Sequence, residues 1–548
     1  MQCKQCNTGF KITDSDRRFF KMFDVPEPAL CPPCRMQRRM AWNNQINLYK
    51  RKCDATGEEI ISIYHPDGPL KVYKQNYWWD TAQFDATEYG RDFDFSRPFF
   101  EQWIDLAKSV PRPALFTLFQ FDENSEYTND AGYNKNCYMI FDSDYNRDCY
   151  YSMSSNKSTN CVDNNRIKES ELCFECVDCT QCYSLYYSQD CDNCTSSAFL
   201  KNCIGVRHSF MCSNLKNKEY HVFNKPYDKA TYTKLMASLS KHSELAKYLK
   251  DWAAFKLQFP QRAMHGVQNE NVTGDYLVYS KNAENCFDSM QLWDCKNFVR
   301  SFGSVKDSMD CYECGDGIER FYESAISGYN SQDLRFCLLC VNEEHNLDYS
   351  FYCNFSTDCF GCVGLNRKKF CILNKPYPEA EYKALAPKII KHMRSTGEWG
   401  EFFSVPHSDF AYNETMAQEH FPMTKEAVLD RGWRWREKDK ADFLPSNATV
   451  PDDSRTADES ICQALFACEV CGRSYKIILQ ELNFYKTQGV VVPKRCFFCR
   501  HRARSFLRNP RVLFDRQCAQ CRTAIKTSYA PGSPWTVYCE KCYQASLL

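Results

Sequence analysis

No stretch of these 548 residues approaches the ~20 consecutive apolar positions that a bilayer-spanning helix needs. The amino terminus, MQCKQCNTGF, carries no apolar export segment. No G-x4-G-K-[ST] phosphate loop, G-x-G-x2-G dinucleotide turn, G-x-S-x-G elbow or H-E-x2-H zinc helix occurs, and the 10 histidines are scattered without ligand spacing. Pairing His208 with Cys203 as base and nucleophile has nothing beyond proximity in sequence to support it. These absences argue against a membrane protein, a nucleotide-dependent enzyme and the common hydrolases. The expectation is a non-enzymatic, cytoplasmic chain. Net charge is missing too, with 69 Lys and Arg against 69 Asp and Glu. Aromatic residues are plentiful, at 39 Phe and 33 Tyr, so the chain can build packed cores.

What is present above all is cysteine, 35 of them. Disulfide-built secreted domains are usually short, and the repeated C-x2-C phrasing favours reduced thiols and metal. Cys3, Cys6, Cys31 and Cys34 recur 465 positions later as Cys468, Cys471, Cys496 and Cys499. The same offset carries Cys53 onto Cys518, Val72 and Tyr73 onto Val537 and Tyr538, and Arg35 and Arg39 onto Arg500 and Arg504. Two C-x2-C pairs with 24 residues between them supply the four thiolates that structural Zn²⁺ takes. The carboxy-terminal copy has a further set in Cys518, Cys521, Cys539 and Cys542, whose amino-terminal counterparts are Cys53, Thr56, Lys74 and Tyr77. The expectation is three Zn²⁺ per chain on twelve cysteines, all closed structural sites, with the 53–77 half metal-free.

Charge is segregated along the chain. Residues 1–52 carry 11 basic against 4 acidic residues, and residues 462–548 carry 14 against 4. The stretch 53–461 holds 44 against 61. In both modules the second C-x2-C runs into an arginine-rich helix, CPPCRMQRRMAWNN and CFFCRHRARSFLRNPR. Arg35, Arg38 and Arg39 share one helical face, and Arg500, Arg504, Arg508 and Arg511 continue a similar stripe. Guanidinium groups so spaced suit successive phosphates, so these seven arginines are the expected contacts to nucleic acid, RNA or a ribonucleoprotein in the first place. Protein partners form the other reading, with the arginines meeting acidic surfaces that include this chain's own body.

The pattern C-x2-C-x3-F/Y, an FF or FY pair, then V-x2-P-x2-C-P/F-x-C-R resembles the "probable zinc-ribbon" family of small bacterial modules. The runs LYKRKCDATGEEIISIY, YGRDFDFSRPFFEQW and FAYNETMAQEHFPMTKEA are similar to uncharacterised multidomain proteins of candidate-phyla-radiation bacteria. The resemblance implies zinc ribbons at both ends and brings no activity with it.

Between about 120 and 400 a small polar residue often precedes cysteine, and Cys137, Cys149, Cys161, Cys173, Cys182, Cys194, Cys203 and Cys212 are spaced by 12 or 9. Multiples of three near this size fit a β-solenoid with one small residue stacking from coil to coil. HVFNKPYDKATYTKL at 221–235 returns as CILNKPYPEAEYKAL at 371–385, so the body is duplicated, each copy ending in a turn at Asn224 or Asn374 and a helix. One helix is expected over 227–255 and another over 93–108 with Ser96 as N-cap. The run Cys173, Cys176, Cys179, Cys182 reads as a buried thiol ladder, with an iron–sulfur or redox centre as the alternative. Acidic turns such as Asp142-Ser143-Asp144 read as surface, and PSNATVPDDSRTADES at 445–460 as a mobile linker that frees the last module.

The fold expected is thus mainly β with helices, duplicated zinc ribbons flanking two cysteine-rich β-solenoid-like lobes with capping helices. The units are a ribbon with basic helix at 1–52, a degenerate ribbon plus helix at 53–119, lobes at 120–260 and 261–403, a connector at 404–461, and ribbons at 462–517 and 518–548.

Overall fold

In the computed structural model, which describes residues 1–547, α-helices and many short strands alternate, and the four-cysteine groups lie near the two ends of the chain. The middle is two long parallel ladders. The first runs from Thr117–Leu118 to Lys225–Pro226, the second from Gly266–Val267 to Lys375–Pro376. Register in the first is 14 residues at Thr117 opposite Ala131 and 12 thereafter, with Phe141 opposite Met153, Met153 opposite Asn165, Asn165 opposite Val177 and Val177 opposite Gln189. The second starts at 11, with Gly266 opposite Leu277 and Glu270 opposite Lys281, shifts to 12 after Val272, as in Phe287 opposite Val299, and widens to 13 for Val299–Tyr312, Tyr312–Ala325 and Gln332–His345. It returns to 12 at His345–Thr357 and Thr357–Lys369.

The cause is a three-residue backbone rhythm. From Asp130 to Asn202 every third residue is in the left-handed region, and none of them is glycine. Each such residue costs on the order of 1–2 kcal/mol, and Asn or Asp fills many of the positions because a short polar side chain tolerates that conformation. The residue after each is buried: Cys173, Cys176, Cys179 and Cys182 are 2% exposed or less. Its backbone N–H points at the side chain one rung earlier. Ser155 N donates to Ser143 Oγ at 3.0 Å, Asn164 N to Ser152 Oγ at 3.1 Å, Cys182 N to Ser170 Oγ at 3.2 Å and Cys173 N to Cys161 Sγ at 3.5 Å. The same hydroxyls and thiols donate backwards, Ser152 Oγ to Tyr150 O at 3.0 Å and Cys149 Sγ to Arg147 O at 3.4 Å. A small side chain that both accepts and donates is favoured in this row, which also holds Ile140, Ile167, Leu185 and Leu200, because a buried amide left without a partner costs about 1–3 kcal/mol. That preference, as much as size, explains the mixture of Cys, Ser and Asn.

Each ladder ends in an antiparallel hairpin, His221–Val222 with Lys225–Pro226 and Lys369–Ile372 with Lys375–Pro376. There an asparagine side chain imitates the missing next strand. Asn224 accepts from Ser213 N and donates to Ser213 O, at 2.9 and 2.8 Å. Asn374 does the same with Val363, both at 2.7 Å. Helices follow, Lys229–Ala237 and His242–Phe255 after the first ladder and Glu379–Thr396 after the second.

Three local expectations need correction. The single helix expected over 227–255 is broken at Lys241, where the backbone pairs with Asp453 and His242 N donates to Asp452 O at 2.9 Å. The same contacts anchor 445–460, which is therefore not a free linker: Ser243 also bonds Asp452, and Lys486 Nζ donates to Ala457 O. The helix expected over 93–108 is Phe99–Ser109, entered through Pro98. Ser96 instead closes a turn on Asp94, and the first amides of the helix are capped from far away by the Glu398 carboxylate, at 2.9 Å from Phe99 N and 2.8 Å from Phe100 N. Trp103 of this helix lies among Trp42, Phe351 and Phe403, joining the amino-terminal module to the second ladder.

Candidate metal centres and the arginine face

Three groups of four cysteines bring their Sγ atoms within 4.8 Å of one another: Cys3, Cys6, Cys31 and Cys34; Cys468, Cys471, Cys496 and Cys499; Cys518, Cys521, Cys539 and Cys542. Each is built the same way. The first C-x2-C sits in a tight turn, closed by Cys3 N to Thr8 O and Cys468 N to Arg473 O. The second opens a helix, with Cys31, Cys496 and Cys539 as the N-cap residues of Pro32–Met40, Phe497–Ser505 and Glu540–Ala545. Helix amides and the dipole at such an end oppose the effect of burial, which still pushes Cys496 up to about 11. Hydrogen bonding from Cys34 holds Cys31 down at about 5, and the Thr523 hydroxyl and backbone hold Cys521 at about 6. In the first group Cys6 is exposed and the other three are buried; in the second Cys468 and Cys496 are buried and Cys471 and Cys499 half-buried; in the third Cys518 is buried, Cys521 exposed and Cys539 and Cys542 half-buried.

At 53–77 only Cys53 remains of such a set. Lys74 N donates to its Sγ at 3.3 Å, as Cys539 N does to Cys518 Sγ at 3.2 Å, so the turn survives where three ligands have gone. Trp78 is buried beside it, its indole donating to Pro111 O. Cys173, Cys176, Cys179 and Cys182 are not among the gathered groups of the described residues. Their thiols donate to the carbonyls of Glu171, Phe174, Val177 and Thr180, two residues back in each case. Cys203 is likewise buried and donates to Lys201 O, while His208 faces Glu219.

The arginine face is the main departure from the sequence reading. None of the seven arginines expected at nucleic acid is presented to solvent. Arg35 Nη2 lies 2.7 Å from Asp310, Arg38 bridges Glu323 and Glu401 at 3.3 and 3.0 Å, and Arg39 reaches Glu323 at 2.5 Å. In the other module Arg500 pairs with Asp163, and Arg504 with Asp163 and Glu175 at 3.0 and 3.1 Å. Arg508 bridges Asp178 and Asp288 at 2.7 and 2.5 Å, and Arg511 reaches Asp288 at 2.8 Å. Arg35, Arg39 and Arg504 are 1% exposed or less. The physical reason is stoichiometric and geometric. A guanidinium this deeply buried needs a carboxylate, and the acidic body supplies them at matching pitch. Helix residues four apart lie about 5–6 Å apart, and successive rungs of a ladder about 4.7–4.9 Å. Asp163 and Glu175 are one 12-residue rung apart, Asp310 and Glu323 one 13-residue rung, and all four are left-handed residues. The arginines at 35 and 39 therefore fit the second ladder as those at 500 and 504 fit the first.

The arrangement is crossed at the first arginines of each stripe: Arg35 and Arg39 meet the second ladder and Arg500 and Arg504 the first, while Arg508 and Arg511 reach Asp288 of the second. The stripe from Arg500 to Arg511 is not one continuous helix either, since the helix ends at Ser505. The ladders also pair with each other through left-handed residues, Asp142 with Arg300 and Arg166 with Asp288, so Asp142 is no surface turn. The acidic columns escaped the sequence reading although a signal existed. Asp130, Asp142, Asp178 and Asp190 all fall on the 12-residue period already visible in the cysteines.

No family model matches the chain, and no curated protein matches it. A crystal structure bearing an acetyltransferase name, from Desulfovibrio desulfuricans G20, aligns at 11% identity over 48% of this chain and 69% of that one, with a TM-score of 0.11. A likeness of that size carries no argument. Among the described residues no helix is long and apolar enough to cross a membrane.

Proposed function

We propose that the chain is a non-catalytic, zinc-containing scaffold in which two β-solenoid lobes are clamped together by the chain's own terminal zinc ribbons. The observation that carries this reading is the repeated use of one contact. Equivalent arginines of two duplicated modules grip acidic pairs one rung apart on opposite ladders. Four gathered thiols with no other donor type suit Zn²⁺ held for structure, three ions per chain. The buried free thiols suit a reducing, cytoplasmic setting. Of the two readings of the arginine face, the protein-surface reading is favoured, its first partner being this chain's own acidic body. The outer faces of the lobes then remain for protein partners, and nucleic acid has no support from these seven side chains.

Elemental analysis with a paired variant tests this. The protein should carry about three zinc and no iron per chain. Arg500→Ala with Arg504→Ala should lower the unfolding midpoint and expose the carboxy-terminal module to limited proteolysis, without changing retention on RNA. A variant that keeps its midpoint and loses salt-sensitive RNA binding would overturn the clamp reading in favour of nucleic acid. Iron bound in the ladder would overturn it in favour of a redox centre.

A further inference from the structure

One cluster of buried charge is not neutralised by the clamps. Asp130 and Asp142 of the first ladder and Glu313 of the second each offer a carboxylate oxygen, the three within 4.8 Å of one another. Glu313 and Asp142 are 3% and 6% exposed. Arg300 is the cation in contact with them, pairing with Asp142 and with Glu313 at 3.2 Å. Three carboxylates against one guanidinium leave two negative charges in excess. Isolated buried charge costs several kcal/mol per ion, so the cluster must take up either protons or a divalent cation.

Two further atoms bear on that choice. Gln45 of the amino-terminal module is 0% exposed, and its Nε2 donates to Asp130 at 2.6 Å and Glu313 at 2.9 Å. Its Oε1 is buried with no hydrogen-bond partner. The Tyr312 hydroxyl, next along the chain from Glu313, is buried and unpartnered as well. A half-turn of the Gln45 amide would exchange its two terminal atoms and turn the orphaned oxygen toward the carboxylates. That orientation is repulsive beside three anions and favourable beside a hard cation. Asn43, which donates to Glu313 Oε2 at 3.1 Å, and the Ser154 hydroxyl, which donates to Asp142, hold the outer carboxylate oxygens in place.

We propose that Asp130, Asp142, Glu313 and the Gln45 side-chain carbonyl form a site for one hard divalent cation of the calcium or magnesium class, at the junction of the two ladders and the amino-terminal module. All its donors are oxygens, which separates it from the three thiolate sites and selects against zinc-type ions. Asp130 is the most exposed of the three carboxylate residues. The ion would join three segments that are far apart in sequence, and its loss would loosen the ladder interface and leave the zinc sites intact.

The test is calorimetric titration of zinc-replete, full-length protein with calcium chloride, then magnesium chloride, at pH 7.5, paired with thermal unfolding. One saturable site per chain and a raised midpoint are expected. Glu313→Gln and Asp130→Asn should each weaken binding by at least about tenfold. Gln45→Leu, which keeps all three carboxylates, should also weaken it, and Asp144→Asn, just outside the cluster, should not. Absence of saturable calcium or magnesium binding by the wild-type protein would overturn the proposal and assign the excess charge to protons. Binding that survives Glu313→Gln, Asp130→Asn and Gln45→Leu alike would place the ion elsewhere and overturn it equally. If Glu313→Gln does not fold by far-ultraviolet circular dichroism, the wild-type and Gln45→Leu titrations decide.

Discussion

Arg39 Nη1 lies 2.5 Å from a carboxylate oxygen of Glu323, 284 residues away, with the two side chains 0% and 1% exposed. Desolvation and Coulomb attraction nearly cancel in such a pair, so its net contribution to stability is small. Breaking it from one side is a different matter, because the survivor stays buried and charged.

Arg39→Ala should therefore cost about 3–5 kcal/mol of unfolding free energy. Glu323→Gln should cost less, since the amide still accepts a hydrogen bond. Arg39→Met with Glu323→Leu should recover only part of the loss, because Arg35 and Arg38 also contact Glu323. Urea denaturation of the three variants reads this directly, and equal losses in the single and double variants would contradict it.

The three thiol sites should release metal in an order set by exposure. Cys518, Cys521, Cys539 and Cys542 are the most open set, so a chelator with a colorimetric zinc indicator should show about one equivalent leaving first. The other two sets, with three and two buried cysteines, should follow more slowly. Cys521→Ser should remove the fast phase alone.

Native protein with metal bound should show about one rapidly reactive thiol to a disulfide reagent. Cys462 is the half-buried cysteine outside both the ladders and the metal sets. The ladder thiols are buried, and burial pushes Cys149 and Cys161 well above the ordinary thiol range. Cys462→Ala should abolish the fast reaction.

Ser170→Ala should destabilise by about 1–3 kcal/mol, because Cys182 N then has no acceptor. Ser170→Cys should be milder, since a thiol fills that role elsewhere in the same row. Denaturation midpoints that rank Ala above Cys would argue against the hydrogen-bonded account of the ladder.

Stability should fall as pH rises toward neutrality. Burial pushes Glu344 and Glu481 up to about 7, above the ordinary ~4.3 of an unfolded glutamate. The folded state therefore binds more protons than the unfolded state between these values. The stability so gained is full below the unfolded pKa and lost as pH rises through about 7. Between pH 6 and 8 the unfolding free energy should decline, and Glu344→Gln should flatten the slope.

Much of the architecture was legible because it is local. A C-x2-C turn and the helix that follows it are encoded within a few residues, so both four-thiol sets at the ends and the extra carboxy-terminal set could be read from spacing. The 12-residue rung was legible from Cys137, Cys149 and Cys161, and the end caps from the repeated asparagines at 224 and 374. The 13-residue rungs around Glu313 and Glu323 were not, because cysteine thins out there and the period drifts. The anchored segment at 445–460 was missed for another reason. Its polar composition suits a loop whether or not backbone partners such as His242 await it.

The chain by itself determined where thiols gather, how the ladders repeat and that basic ends flank an acidic middle. Only the tertiary structure decided what the basic ends are for. An arginine has the same signature in sequence whether it faces a phosphate or a carboxylate, and the carboxylates that meet Arg35, Arg39, Arg500 and Arg504 lie some 275 to 341 residues away. Packing brings them together because a helix with arginines four apart matches the pitch of stacked rungs, and that match exists in three dimensions alone.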